Sequence, residues 1–170
     1  MYGELHAAKG RSQLRFERTL PHSREKVWRA LTEPEHLAAW FPTTIEGERV
    51  AGAPLRFSFP NNEAPPMEGE MITYDPPSVL EFRWGEDVVR FELAPNDGGS
   101  LLTLVDTLDE HGKAARDAAG WHVCLDVLDS HLAGVEPPEA SSDQWKPLND
   151  EYAERFGPEA ATIGPPEGFE

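Results

Sequence analysis

Residues 79–93, VLEFRWGEDVVRFEL, decide the fold. Leu80, Phe82 and Trp84 alternate with Glu81 and Arg83, and after the Gly85-Glu86 break Val89, Phe91 and Leu93 alternate with Arg90 and Glu92. A period of two places apolar side chains on one face of a strand and charged ones on the other, so each run reads as a half-buried strand. Two such runs joined by a short glycine-containing break are antiparallel neighbours in a sheet with one apolar face.

The pattern continues on both sides. Alternating runs at 45–50, 55–59, 68–74 and 101–108 are separated by Ala51-Gly52, by a loop from Asn61-Asn62 to Pro66, by Asp75-Pro76-Pro77 and by Pro95-Asn96-Asp97-Gly98-Gly99. Turn residues at intervals of about ten mark an antiparallel meander. An earlier run at 14–20 carries Leu14, Phe16 and Leu20 on one parity, which brings the predicted strands to seven. Parity within 68–74 stays open, because Met71 and Ile72 are both apolar and one must face outward; a bulge would resolve it.

Between the first strand and the meander, Ser23 can cap a helix carrying Val27, Trp28 and Leu31, with Lys26 at the capping-box position and so only half that motif. Pro34 can open a second short helix that carries Leu37, Trp40 and Phe41 up to Pro42. After the meander, a helix from near Lys113 to before Gly134 bears a stripe of Trp121, Leu125, Leu128 and Leu132, and is the only element long enough to cover the sheet. Three regions are expected: a flexible N-terminus over 1–11, a folded domain over 12–134, and an acidic, proline-rich tail over 135–170. Within the tail, 135–142 reads as a linker. Apolar residues at 145, 148, 152 and 156 predict one short docked helix near 144–156, ahead of a fraying end.

Length and composition narrow the function. At 170 residues the chain holds one ordinary domain, and its one cysteine, Cys124, allows no internal disulfide framework, so a reducing cytoplasm is the expected setting. A net charge of −16 repels nucleic acid, and no stretch approaches the roughly 20 apolar residues of a membrane span. The Gly-x-Ser-x-Gly elbow, phosphate-binding glycine loop and dinucleotide fingerprint are all missing, and no cofactor is required.

This order of elements resembles the Aha-like branch of the START-related (SRPBCC) helix-grip superfamily, named for an activator of a heat-shock-protein ATPase. The resemblance covers residues 14–134. It is carried by Pro21, Val27-Trp28-Arg29-Ala30-Leu31-Thr32, Pro34-Glu35-His36-Leu37, Trp40, Gly69-Glu70, Pro76-Pro77 before Leu80 and Trp84, and Gly120-Trp121. It implies an α+β helix-grip fold, with a seven-stranded curved antiparallel sheet wrapped around a long C-terminal helix and two short helices after the first strand. It also implies a cavity between sheet and helix that in many relatives receives an apolar or flat aromatic molecule. Similar members include carriers, sensors, polyketide cyclases and aromatases, and co-chaperone domains, so the fold locates a site without naming its chemistry.

The leading expectation is a protein that binds a small hydrophobic or aromatic molecule in a pocket lined by Trp40, Phe41, Phe57, Phe82, Trp84, Phe91, Trp121, Leu125 and Leu128. Asp106 shares parity with Leu102 and Leu104, where many relatives look as if they carry histidine. The plain reading has the strand already turning into solvent and Asp106 wet; the ligand reading has Asp106 facing the cavity and orienting the ligand. Asp106 is also the one candidate acid or base for a cyclase or aromatase alternative, although nothing here is a catalytic signature and the balance leans against an enzyme. A third class is a chaperone-linked interaction module that meets a basic partner through the acidic tail. Monomer and dimer are both compatible. His122 and Asp126, with Asp129 and His131, have a spacing that could hold zinc, but they read as a solvated helix face, Glu33 and His36 fare no better, and Cys124 reads as a core residue.

Overall fold

The computed structural model describes residues 2–136 and 142–164. Alternation converts directly into register. β5 (Val79–Trp84) and β6 (Asp87–Asn96) pair antiparallel with Leu80 opposite Phe91 and Phe82 opposite Val89, so their apolar residues land on one face. β7 (Gly99–Leu108) sets Leu104 opposite Phe91, and β2 (Arg11–Leu20) sets Phe16 opposite Leu104 and Leu14 opposite Asp106. β4 (Met67–Asp75) and β3 (Pro54–Phe57) extend the sheet on one side and β1 (Glu4–Ala8) on the other, giving the order β1-β2-β7-β6-β5-β4-β3.

Ser23 caps α1 (Arg24–Thr32), its hydroxyl accepting from the Lys26 N–H at 3.2 Å, and α2 (Pro34–Trp40) follows with proline in its first turn. α3 (Ala114–Ala133) is reached through a 3-10 turn, His111–Lys113. It ends where the Gly134 and Val135 N–H groups bond the His131 and Ser130 carbonyls. Trp121, Leu125, Leu128 and Leu132 are buried against the apolar face of the sheet. The result is the α+β helix-grip architecture that the strand order implied. None of the described helices is long and apolar enough to cross a membrane.

Two of the expected strand assignments change places. Residues 45–50 form no strand and touch the sheet through a single bridge, Glu46 to Arg56. Gly47 breaks the run at φ 140°, so close to β3 that an added Cβ would lie 2.5 Å from the Pro54 carbonyl oxygen. The Arg49 guanidinium then fastens the loop to the Thr32, Ile45 and Gly47 carbonyls. The seventh strand is instead β1, inside the stretch expected to be flexible, paired with β2 around the Lys9-Gly10 turn. Its pattern is faint because only Leu5 packs against the core. The Met71/Ile72 parity is resolved by a bulge, with Met71 buried and Ile72 exposed.

α4 (Ser142–Phe156) runs alongside α3, and Trp145, Leu148, Tyr152 and Phe156 all pack against the core. A short 3-10 segment, Pro158–Ala161, follows and leads to a bond from the Ile163 N–H to the Gly112 carbonyl. The linker expected at 135–142 lies largely outside the described residues, as does the end beyond 164.

Gly69 marks a close approach inside the sheet. A Cβ there would overlap the Arg83 carbonyl oxygen on β5 and sit 2.7 Å from the Phe57 ring. Gly69→Ala is expected to cost about 3 kcal/mol, the upper end for overpacking, measured by urea denaturation. A loss under about 0.5 kcal/mol would show that β4 and β5 lie further apart than the pairing requires.

Candidate ligand-binding site

Parity and helix geometry bring the rings together. Phe57, Phe82, Trp84 and Phe91 project from β3, β5 and β6, Trp40 closes α2, and Phe41 follows in extended conformation, which turns its ring back under the helix. Phe41 is central: its ring centre lies 5.9 Å from Trp84, 5.8 Å from Trp121, 6.2 Å from Phe82 and 5.3 Å from Trp40. Trp84 and Trp121 are 5.5 Å apart, and Phe91 lies 6.3 Å from Trp121. The tilted and edge-on angles are those that aromatic quadrupoles favour. In this conformation the rings fill the space between sheet and α3, and of the aromatic members only Trp84 keeps substantial exposure. Leu125 and Leu128 of α3 are buried in the same core.

Each indole N–H in the group is bonded. Trp40 Nε1 donates to the Ala30 carbonyl at 2.8 Å, tying α2 to α1, and Trp84 Nε1 donates to Thr43 Oγ1 at 3.3 Å. Trp121 Nε1 donates to Asp106 Oδ2 at 2.8 Å.

Asp106 is 0% exposed, so the wet alternative does not hold. It lies on the buried parity of β7, directly across from Leu14 and Val89. Its Oδ1 has no conventional hydrogen-bond partner. Desolvation drives its pKa well above the ordinary carboxylate value, the nearby Asp87 and Asp117 push it further, and the Trp121 N–H pulls the other way. Burial and the two neighbouring carboxylates thus favour the protonated form of Asp106, whose proton can bridge to the Asp87 carboxylate.

The surroundings of this acid are ordered by two cations. Asp87 Oδ1 accepts from Lys113 Nζ at 2.8 Å and from the Asp109 N–H at 3.2 Å, and Asp117 accepts from Arg116 Nε at 2.8 Å. Burial alone would lower the Lys113 pKa, but its bonds to Asp109 and Asp87 outweigh that and raise it. Asp117 is raised by burial, with Arg116 opposing. Asp87, Asp106 and Asp117 each bring one oxygen within 4.8 Å of the others, an all-oxygen set of the kind that suits a hard divalent cation. Here Lys113 and Arg116 already supply positive charge to Asp87 and Asp117.

A family model described as Activator of Hsp90 ATPase homolog 1-like protein matches residues 21–133. The chain belongs to that family. A conserved protein of unknown function from Enterococcus faecalis shares the fold at a TM-score of 0.76, with 21% identity over 91% of this chain and 90% of its own. DynU16, titled a putative protein in the dynemicin biosynthetic locus, is 25% identical with a TM-score of 0.65, over 74% of this chain and 48% of its own. A curated endoglucanase from Clostridium saccharobutylicum is 26% identical over 86 residues, 51% of this chain. The chain spans 19% of that curated relative, so the match concerns a part of the endoglucanase.

The family region contains every residue of the expected pocket, and the structure brings them into one core. The matched stretch also holds Asp87 and Asp117, which the sequence reading missed. Asp87 continues the odd-numbered buried parity of Val89, Phe91 and Leu93, and Asp117 precedes Trp121 by one helical turn, so position alone could have found both. His122 is a correction of another kind. Expected on a solvated face, it is 9% exposed and lies 2.9 Å from the Tyr152 hydroxyl, because α4 covers it. His131 meets His36 rather than a metal set. Cys124 packs against the core, and burial pushes its thiol up to about 12, which leaves it unreactive at neutral pH.

Proposed function

We propose that this protein binds a small hydrophobic or aromatic molecule between the sheet and α3, with Trp40 and Phe41 as the gate and Asp106 as the single polar anchor. One observation carries the reading: a carboxyl group, fully enclosed beside the ring cluster, has one oxygen without a conventional partner. In its protonated form, favoured by burial, Asp106 can turn its proton from Asp87 to a carbonyl or hydroxyl acceptor that arrives with an apolar body. Space for it comes from displacing Phe41, which lies just beyond the end of a seven-residue helix rather than inside the sheet. The family supports a ligand-binding fold.

A thermal-shift screen against fatty acids, sterols, flavonoid-like aromatics and polyketide mimics tests this. Ligand at 100 times its Kd contributes about 2.7 kcal/mol, which is roughly 5–11 °C at this chain length. Trp40→Ala is expected to abolish or sharply reduce the shift. No shift with any compound would remove the reading and favour the protein-interaction alternative.

The cyclase-type alternative is favoured by the same buried carboxyl, since a raised pKa suits an acid that gives a proton to a bound carbonyl. It differs in one outcome: Asp106→Asn would abolish turnover of a polyketide mimic while keeping its binding. The interaction-module alternative would rest on the acidic surface, because the apolar stripe of α4 packs against the core.

A further inference from the structure

We propose that the cavity between α1, α2 and the end of α3 is a binding site for a phosphoryl oxyanion. It is lined by Lys26, Arg29, His36, His131 and Leu132, with a volume of about 130 Å³. That is the space of roughly four waters, enough for one phosphoryl group and too little for a nucleotide. In a chain of net charge −16, four nitrogen-bearing side chains around one concavity run against the general field.

The donors are available. Lys26 and Arg29 are three residues apart on α1 and so share a face. No hydrogen bond or ion pair engages the Arg29 guanidinium among the described residues, which leaves its planar fork free for two oxygens. His36 Nδ1 faces His131 Nε2 at 2.8 Å, and His36 Nε2 lies 3.4 Å from Glu33 Oε2. With the His36 Nε2 N–H directed at Glu33, His131 Nε2 donates to His36 Nδ1. Burial lowers the His131 pKa, and His36 and Lys26 lower it further. An anion in the cavity offsets that repulsion and favours the protonated form of His131.

Groups that would oppose an anion are already engaged. The Ser130, His131 and Leu132 carbonyls at the end of α3 accept from the Val135 N–H, the Gly134 N–H and Lys26 Nζ. Lys26 Nζ also lies 3.2 Å from His22 Nδ1, so the ammonium is held at the rim. A metal ion is the poorer occupant, because two imidazoles are too few ligands and two cationic side chains stand beside them.

The test is an NMR titration of the full chain with inorganic phosphate at constant ionic strength, following the imidazole C–H signals. The expected result is a saturable downfield shift of His36 and His131, with His6 and His111 unmoved. Arg29→Gln should weaken binding about tenfold or more, since it removes the charge and the two-point fork, without altering the fold because Arg29 is exposed. Phenyl phosphate separates two sources of the same chemistry: tighter binding than inorganic phosphate means the site holds the end of a larger molecule, and equal binding means it holds the free ion. Shifts matched by chloride, shifts shared by all histidines, or saturation unaffected by Arg29→Gln would each overturn the proposal.

Discussion

Asp106→Asn is expected to stabilise the protein, by an amount that grows with pH. Asparagine reproduces the protonated acid: its oxygen can accept the Trp121 N–H, and its amide can donate toward Asp87, but it cannot ionise. The wild-type carboxyl titrates higher in the folded chain than in the unfolded one, because burial, Asp87 and Asp117 all disfavour its charge. Below about pH 3.9, the ordinary aspartate value, the group is protonated in both states and the two proteins should be close in stability. As pH rises, the unfolded chain releases this proton while the folded chain keeps it. The wild type therefore loses stability at about 1.4 kcal/mol per pH unit until the folded-state titration is reached. Asp106→Asn lacks this loss. Urea denaturation of both proteins from pH 4 to pH 9 should show a widening gap in favour of the variant. A constant gap, or a variant less stable at pH 8, would mean that Asp106 is ionised in the folded protein and paired.

Tyr152→Ala should cost about 3–5 kcal/mol, the usual range for deleting a large buried aromatic. Tyr152 is 0% exposed and stands between α3, β2 and the N-terminus. Its hydroxyl accepts the Gly3 N–H at 2.8 Å and lies 2.9 Å from His122 Nδ1, and its ring sits 5.2 Å from Phe156 and 5.6 Å from Tyr2. Burial lowers the His122 pKa, and with the ring proton on Nε2, which faces Asp126 Oδ2 at 3.6 Å, Nδ1 accepts from the phenol. Tyr152→Phe keeps the packing but strands a buried N–H and a buried imidazole nitrogen, at about 1–3 kcal/mol. Tyr152→Ala should also make the 135–164 region the first site of limited proteolysis. A cost under about 0.5 kcal/mol would falsify the docking of α4. The same contact gives acid sensitivity: because His122 titrates lower when folded, its contribution is present above its unfolded value near 6.5 and is lost as pH falls below that.

The sheet was legible because period-two alternation in β2, β5 and β6 is clear, β7 keeps it in part, and the buried face is mostly apolar. The expected count of seven strands was reached with one wrong member. Residues 45–50 alternate in composition but are turned aside by Gly47 and Arg49, while β1 is a five-residue edge with a single core contact, which leaves little periodicity to read. The strand rings of the expected pocket followed from parity, and Trp40, Phe41 and Trp121 from their places on the helices. Parity also offered Asp106, but Asp87 and Asp117 went unread, since charge on a buried parity is ordinarily taken as a sign that the strand faces water, and only the convergence of β6, β7 and α3 shows the three acids to be neighbours. His122 was misread for a related reason: its burial depends on a helix thirty residues later in the chain.

The sheet order has a consequence for synthesis. β2 finds its partner in β7, where Leu20 pairs with Ser100, and the Gly3 bond to Tyr152 closes over 149 residues. At about 5–20 residues per second, the β1–β2 hairpin waits on the order of ten seconds beyond the ribosome before its inner edge is covered. During that interval Leu14, Phe16 and Leu20 have no α3 to lie against. The chain is thus most vulnerable to misassociation midway through translation, and holdase chaperones that capture nascent apolar strands would act on it then.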